Sequence, residues 1–445
     1  MSEQAVVVGG GLAGITAALR LADAGRDVVL LEGRPRLGGA AFSFRRGDLS
    51  IDNGQHVFLR CCDSYRWLLR RLGVERDVVL QRSLDIPVLR ADGRRARLSR
   101  TRGVPAPAHL TSALARYRLL RPADRLRAVR GALALRRLDP ADASLDARTL
   151  GEFLRAHGQN DAIISALWGI VAVATLNLDP DEASLALAAK VFRTGLLDHA
   201  PASDVGYAGV PLGDLHSTAA LRALETAGVE VLVNHRVESV EPGGTVRARG
   251  RDGVRTWQAG AVVLAVPHEE ALAAAPELTP LARAAGLGAA PIVNVHVVYD
   301  RKVTDLPFAA AVNSPVQWFF DRTDTSGLRS GQYLAVTVSA ADAIIDEPSR
   351  SIQQRYAEEL ARLLPAARNA EVVDSFVTRE RRATFRQAAG TAELRPTSRS
   401  GVEGVWLAGS WTATGWPDTM ESAVRSGVAA AAEVLGVQPA LEVVA

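Results

Sequence analysis

Three glycines, Gly9, Gly11 and Gly14, spaced Gly-x-Gly-x-x-Gly, separate the apolar run Ala5 to Val8 from an Ala/Leu-rich stretch that ends at Ala24 and Gly25. A second apolar run, Val28 to Leu31, closes on Glu32, eighteen residues after Gly14. Strand, tight turn, helix and strand within about thirty residues predict a βαβ unit. The first glycine makes the turn, the second admits a pyrophosphate to the backbone, and the third lets helix pack on strand. Leu12 and Ala13 place their amides at the helix start, where partial positive charge favours an anion. Glu32 stands where a carboxylate accepts the ribose hydroxyls of an adenosine, so a bound dinucleotide is the expectation.

Past Glu32 the site continues through Gly33, Arg34, Gly38, Gly39 and Ala40, an arginine and a second glycine pair that suit a cofactor whose pyrophosphate extends beyond the first loop. At 445 residues the chain exceeds one ordinary core. The pattern predicts an α/β fold in which a Rossmann-like nucleotide domain is interleaved with an α+β substrate domain and a helical insertion. The expected segments are 1–95, 205–270 and 395–440 for the first. The second takes 96–204 and 271–394, with a helical, membrane-facing part at 105–200. Strand patterns at Val229 to Val240, Gly260 to Pro267 and Val405 to Ala408 are expected to return to the first sheet. Those at Ile292 to Tyr299, Tyr333 to Val338 and Glu371 to Arg379 build the second domain.

The chain resembles the FAD-dependent amine oxidase and carotenoid desaturase superfamily, whose members follow the ribose acid with a basic residue and a double glycine. The likeness extends to Leu407 to Thr412 and Thr419 to Gly427, similar to that family's closing flavin motif. It implies one non-covalent FAD, contacted by Gly409, Ser410, Thr419 and Met420 at the flavin end and by the Val237 backbone at the adenine. Many relatives carry an acid directly after the motif's glycine. Here Ser410 stands there, and Asp418 compensates only if the loop brings it back. A second Gly-x-Gly-x-x-Gly after a strand and a Cys-x4-Cys pair are both missing, which argues against a pyridine-nucleotide disulfide reductase. The electron donor is therefore an unidentified partner. Amine oxidases of this fold place a lysine near flavin N5; the corresponding position here is Asn294.

A narrower resemblance rests on Asp52 to Leu59 with Cys61-Cys62, on Trp168 to Ile170 with Ala174 to Asn177, and on Gly209 to His216. Together these are similar to the squalene-associated, desaturase-like branch, the hydroxysqualene dehydroxylases. That likeness implies reduction of a hydroxylated isoprenoid by reduced FAD with loss of water. The alternatives are a carotenoid or phytoene-type desaturase, another flavin oxidoreductase of this fold, and a flavin-binding protein without catalysis. His56 is the first candidate for the acid that protonates the leaving oxygen, with packing against the ring edge as its other reading. Asp214 is the second catalytic candidate and His216 a reserve, each also readable as a turn or cap residue. No metal site is expected, since the two adjacent cysteines are too few for a cage.

Charge is unevenly spread. Between Arg94 and Arg137 thirteen arginines face one acid, Asp124, a local charge of +12 in a chain of net +3. The remainder then carries −9. A solvated helical face and an anionic membrane surface both fit; nucleic acid fits least, because no recognition fold accompanies the arginines. Leu110, Leu114 and Tyr117 share one helical face, and Leu126, Val129 and Leu133 share another after Pro122, which is read as an interruption. Either could pack a core or meet lipid. Met1 to Gln4 show no leader pattern, and no uncharged run reaches the roughly 18 residues of a spanning helix. The expectation is a cytoplasmic protein, peripheral at the inner face of the cell membrane.

Overall fold

A computed structural model describes residues 4–439. The reading of residues 1–3 as leaderless and the outer limit of the third nucleotide-domain segment at 440 lie outside the described residues. Strand β1 (Ala5–Val8), helix α1 (Leu12–Asp23) and strand β2 (Val28–Glu32) form the βαβ unit. The parallel five-stranded sheet runs Glu230–Val233, β2, β1, Ala261–Leu264, Val405–Leu407. Its central strands are buried on both faces, as their uninterrupted Val/Leu/Ala sequences require.

The turn after β1 depends on its glycines. Gly9 has φ +105°, and a Cβ on Gly14 would lie 1.9 Å from the Gly9 carbonyl oxygen, so only glycine lets α1 start this close to β1. One face of α1 packs against the helix Met420–Leu435, where Gly427 touches the Ala13 carbonyl; a Cβ there would approach to 2.3 Å. Ile15, Leu19 and Leu21 are completely buried. Each contributes about 1.5–3 kcal/mol of burial free energy.

The second domain is a seven-stranded mixed sheet in the order Val372–Thr384, Ala290–Tyr299, Gln332–Val338, Trp318–Asp321, Phe308–Val312, Asp85–Arg90, Arg95–Ser99. Asp85–Arg90 pairs in parallel with Phe308–Val312. The hairpin it makes with Arg95–Ser99 thus belongs to the second domain, and the expected boundary at 95 moves to before Asp85. Pairing across more than two hundred residues left no local mark. Val237 and Val240 likewise leave the first sheet for a three-stranded antiparallel one, Arg236–Glu241 with Thr245–Gly250 and Gly253–Gln258.

The helical insertion is tied to the second sheet by Asn177. Its side-chain amide donates to the Ala290 carbonyl and the Thr384 hydroxyl and accepts from Ala340 N–H at 2.7 Å. The basic helical region is interrupted at Pro122 as expected: one helix ends at Arg116, and Pro122 is the first residue of Pro122–Arg136, where a missing N–H costs nothing. Among the described residues no helix is long and apolar enough to cross a membrane.

Candidate functional site

The carboxyl ends of the parallel strands lie side by side, and the sequence-predicted cofactor residues gather along that edge. This is where open α/β sheets bind ligands. Gly9, Gly11, Leu12, Ala13 and Gly14 form the turn after β1. Glu32 ends β2; its carboxylate accepts the Gly10 N–H at 2.7 Å and the Arg34 N–H at 2.8 Å. Both bonds fix the carboxylate beside the turn and leave lone pairs on each oxygen for further donors. Gly38 N–H donates to the Gly10 carbonyl, which places Gly39 against Gly11 at backbone contact. His235 N–H bonds the Glu32 carbonyl and brings Val237 to the same end. There the Arg236–Glu241 ladder shifts register between Val237 and Ser239, freeing backbone groups from the sheet.

Gly33, Arg34 and Ala40 are exposed. The half-buried cation beside the second glycine pair is Arg36, whose Nη1 donates to the Leu37 and Gly39 carbonyls while its guanidinium lies 3.5 Å from the Phe42 ring centroid. Burial, with Arg34 nearby, lowers its pKa to about 10. A desolvated cation next to glycine amides suits a pyrophosphate. Arg34, the cation named from the sequence, and Arg36 differ in which one the turn folds inward.

At the other end, Gly409 and Ser410 follow Val405–Leu407, and Thr419 caps Met420–Leu435, its side chain accepting from Ser422 N–H. Gly409 N–H donates to Ser426 Oγ at 2.8 Å. The loop does bring Asp418 back: the Ser410 hydroxyl hydrogen-bonds its carboxyl, and Phe385 N–H donates to it at 2.8 Å. Burial raises the Asp418 pKa against those bonds and the nearby Arg395. Arg395, which no motif announced, holds the loop from beneath through the Ser410 and Thr412 carbonyls.

These residues fit FAD. Glycine turns that a Cβ would fill, a fixed carboxylate at one end and the amino end of a 16-residue helix at the other answer its adenosine, pyrophosphate and pyrimidine.

The catalytic candidates separate. His56 is partly exposed beside Gly54, and its pKa is lowered by burial with Asp52 opposing. Asn294, fully buried on Ala290–Tyr299, donates to the Asn53 carbonyl at 2.9 Å and accepts from Thr337. Asp52 and Arg322 form a buried ion pair at 2.8 Å, and Asp52 also accepts from Ser43 Oγ and Leu212 N–H. They line a cavity of about 10 Å³ together with Gln55, His56 and Tyr207. Gln55 Nε2 and Arg322 Nε are buried there without protein acceptors. A space of that size with two free donors matches a single oxygen.

Asp214 is exposed at the start of the π-helical turn Asp214–Thr218 and takes no part in this cavity. His216, on the same turn, is fully buried, with Nε2 2.8 Å from the Tyr65 hydroxyl and Nδ1 3.4 Å from the Ala41 carbonyl. Burial and His56 press its pKa down to about 3; its ring links Tyr65 to the Ala41 carbonyl and does not line the cavity.

The family model described as flavin containing amine oxidoreductase matches residues 12–435. The chain is 30% identical to a hydroxysqualene dehydroxylase of Rhodopseudomonas palustris, over 98% of this chain and 99% of that one. To the hydroxysqualene dehydroxylase of Sinorhizobium fredii it is 28% identical over 97% and 98%. A 15-cis-phytoene desaturase of Narcissus pseudonarcissus shares 26% over 95% of this chain and 78% of its own. Among solved structures, putrescine oxidase bound to putrescine superposes with a TM-score of 0.70 at 21% identity, covering 98% and 99%. An oxidoreductase from Methanosarcina mazei gives 0.73 at 15%, covering 97% and 100%, so both share the fold. The chain belongs to the flavin containing amine oxidoreductase family and is an FAD-dependent oxidoreductase.

Proposed function

We propose that this protein reduces hydroxysqualene to squalene, replacing an allylic C–O bond by C–H with release of water. The observation that carries the reading is likeness along essentially the whole length to two proteins named hydroxysqualene dehydroxylase. The cavity lined by Asp52, Gln55, His56 and Arg322, with two unpaired donors, supports the same chemistry.

Bound FAD, once reduced, supplies the hydride. The chain's own residues handle the oxygen. Gln55 Nε2–H and Arg322 Nε–H donate to the departing hydroxyl, and Asp52 holds Arg322 in register for it. His56 delivers the proton: its lowered pKa lets the protonated ring give the proton up more readily than a free imidazolium. The balance is one hydride and one proton added to the alcohol, giving hydrocarbon and water, with reduced flavin oxidised. An unidentified donor restores the electrons.

The phytoene-type alternative, with hydride running from carbon to flavin, is less favoured because those relatives are more distant and reach further beyond the matched region. Holoenzyme kept reduced under argon and given hydroxysqualene should yield squalene by gas chromatography. Absence of squalene, with dehydrogenation of phytoene by the oxidised enzyme, would replace this reading by the desaturase one.

A further inference from the structure

The Pro122–Arg136 helix carries two apolar faces. Ala128, Gly131 and Leu135 turn inward, with Gly131 so close to Gln159 that a Cβ would come within 2.8 Å of its amide carbon. Leu126, Val129 and Leu133 point the opposite way and are 71%, 38% and 43% exposed. At about 100° per residue these three fall within roughly 60° of one another, so they form a stripe on the helix side that the core does not use.

Much of the arginine charge on and before this helix is uncompensated. Arg127 pairs with Asp124 and Arg136 with Asp198, but Arg116, Arg118, Arg121, Arg130 and Arg137 have no carboxylate partner among the described residues. An open groove of about 870 Å³ adjoins the stripe. It is lined by Leu133, Leu138 and Phe153 and by Arg130, Arg137 and Arg148. Exposed leucines taken singly need no explanation, whereas an apolar line flanked by unpaired cations is the pattern of a helix lying in a membrane interface.

The charge distribution selects the occupant. A second copy would set the unpaired arginines of one face against those of the other, and a neutral protein partner would leave them unanswered. An anionic surface attracts the unpaired arginines and takes up the apolar stripe between them at the same time. We propose that this face docks on an anionic phospholipid bilayer. Leu126, Val129 and Leu133 enter the headgroup–acyl boundary, and Arg118, Arg130 and Arg137 pair with lipid phosphates. The inference is independent of the proposed reaction.

The test is sedimentation of holoprotein with vesicles of phosphatidylcholine alone or of phosphatidylcholine with phosphatidylglycerol. Binding is expected only to the second kind and should weaken as salt rises. The combined Arg118→Gln, Arg130→Gln and Arg137→Gln variant should bind about 100-fold more weakly. The combined Leu126→Ser, Val129→Ser and Leu133→Ser variant should lose about tenfold or more. Flavin content and unfolding temperature, unchanged in both, show that the fold is intact. Vesicle binding equal to wild type in both variants, or no binding to anionic vesicles by the wild type, overturns the proposal. So does tight binding of duplex DNA that the leucine variant retains, or a dimer in solution that the leucine variant dissolves.

Discussion

The Glu421 carboxylate accepts a hydrogen bond from the backbone N–H of Tyr65 at 2.8 Å, across 356 residues of sequence. It accepts from Ser64 N–H as well and pairs with Arg425 at 2.7 Å, so a residue of the closing helix caps α2 (Asp63–Arg71), whose own N-cap, Cys62, offers no side-chain bond. From Tyr65 the connection continues through its hydroxyl to His216 and the Ala41 carbonyl. The Met420–Leu435 helix, the segment after Cys61-Cys62, the Gly209 to His216 loop and the second glycine pair are thereby one hydrogen-bonded unit.

Glu421→Ala should therefore destabilise the fold by about 2–4 kcal/mol, since it strips a buried cap and leaves Arg425 without its partner. Glu421→Gln retains an acceptor and should recover part of the loss. Urea unfolding followed by flavin fluorescence and by circular dichroism measures both.

Glu32→Ala should weaken FAD binding by about 10- to 100-fold, because it removes the ribose acceptor and releases Gly10 and Arg34 N–H together. Visible absorbance per mole of purified protein, and titration of the stripped protein with FAD, read the effect. Unchanged affinity would place the adenosine elsewhere.

His216 and His296 are both buried and have pKa values pressed from 6.5 to about 3. A histidine held neutral in the fold binds its proton more readily when unfolded. Stability should thus be level above about pH 6.5 and fall steadily as the pH drops toward 3. His216→Gln should reduce that slope when unfolding free energy is followed across this range.

The assignment of the proton to His56 has its own pH signature. Activity needs the protonated ring, whose pKa lies below the ordinary 6.5, so kcat/KM should rise as pH falls from 8 toward 6. His56→Gln should lower kcat by about a hundredfold or more and flatten that limb while leaving flavin content unchanged. A rate independent of pH over this interval in the wild type would remove His56 from the role.

The nucleotide site was legible in the sequence because its chemistry is local. A turn that tolerates no Cβ at Gly9 and Gly14, and a carboxylate at a fixed distance along the chain, are set by neighbours in sequence. Which of Arg34 and Arg36 turns inward is not legible, because alternate residues of one loop differ only in which way the turn points them. What depends on distant pairing was not legible: the Asp85–Ser99 hairpin, the reach of Glu421 to Tyr65, and the Arg322 that meets Asp52. Burial was equally silent. His216 has the chemistry of an acid but the surroundings of a core residue. Leu114 with Tyr117, three apart, and Leu126 with Leu133, seven apart, both fit one face of a helix. Yet Tyr117 is completely buried, its hydroxyl bonded to the Ala166 carbonyl, while Leu126 faces out.

The central claim is that hydride from reduced flavin replaces the hydroxyl of an allylic alcohol in this site. Holoenzyme reduced anaerobically in deuterium oxide, where the transferable flavin hydrogen is deuterium, and mixed with one equivalent of hydroxysqualene tests it in a single turnover. One oxidised flavin and one singly deuterated squalene per enzyme are expected. Flavin that stays reduced, or squalene that carries no deuterium, would contradict it.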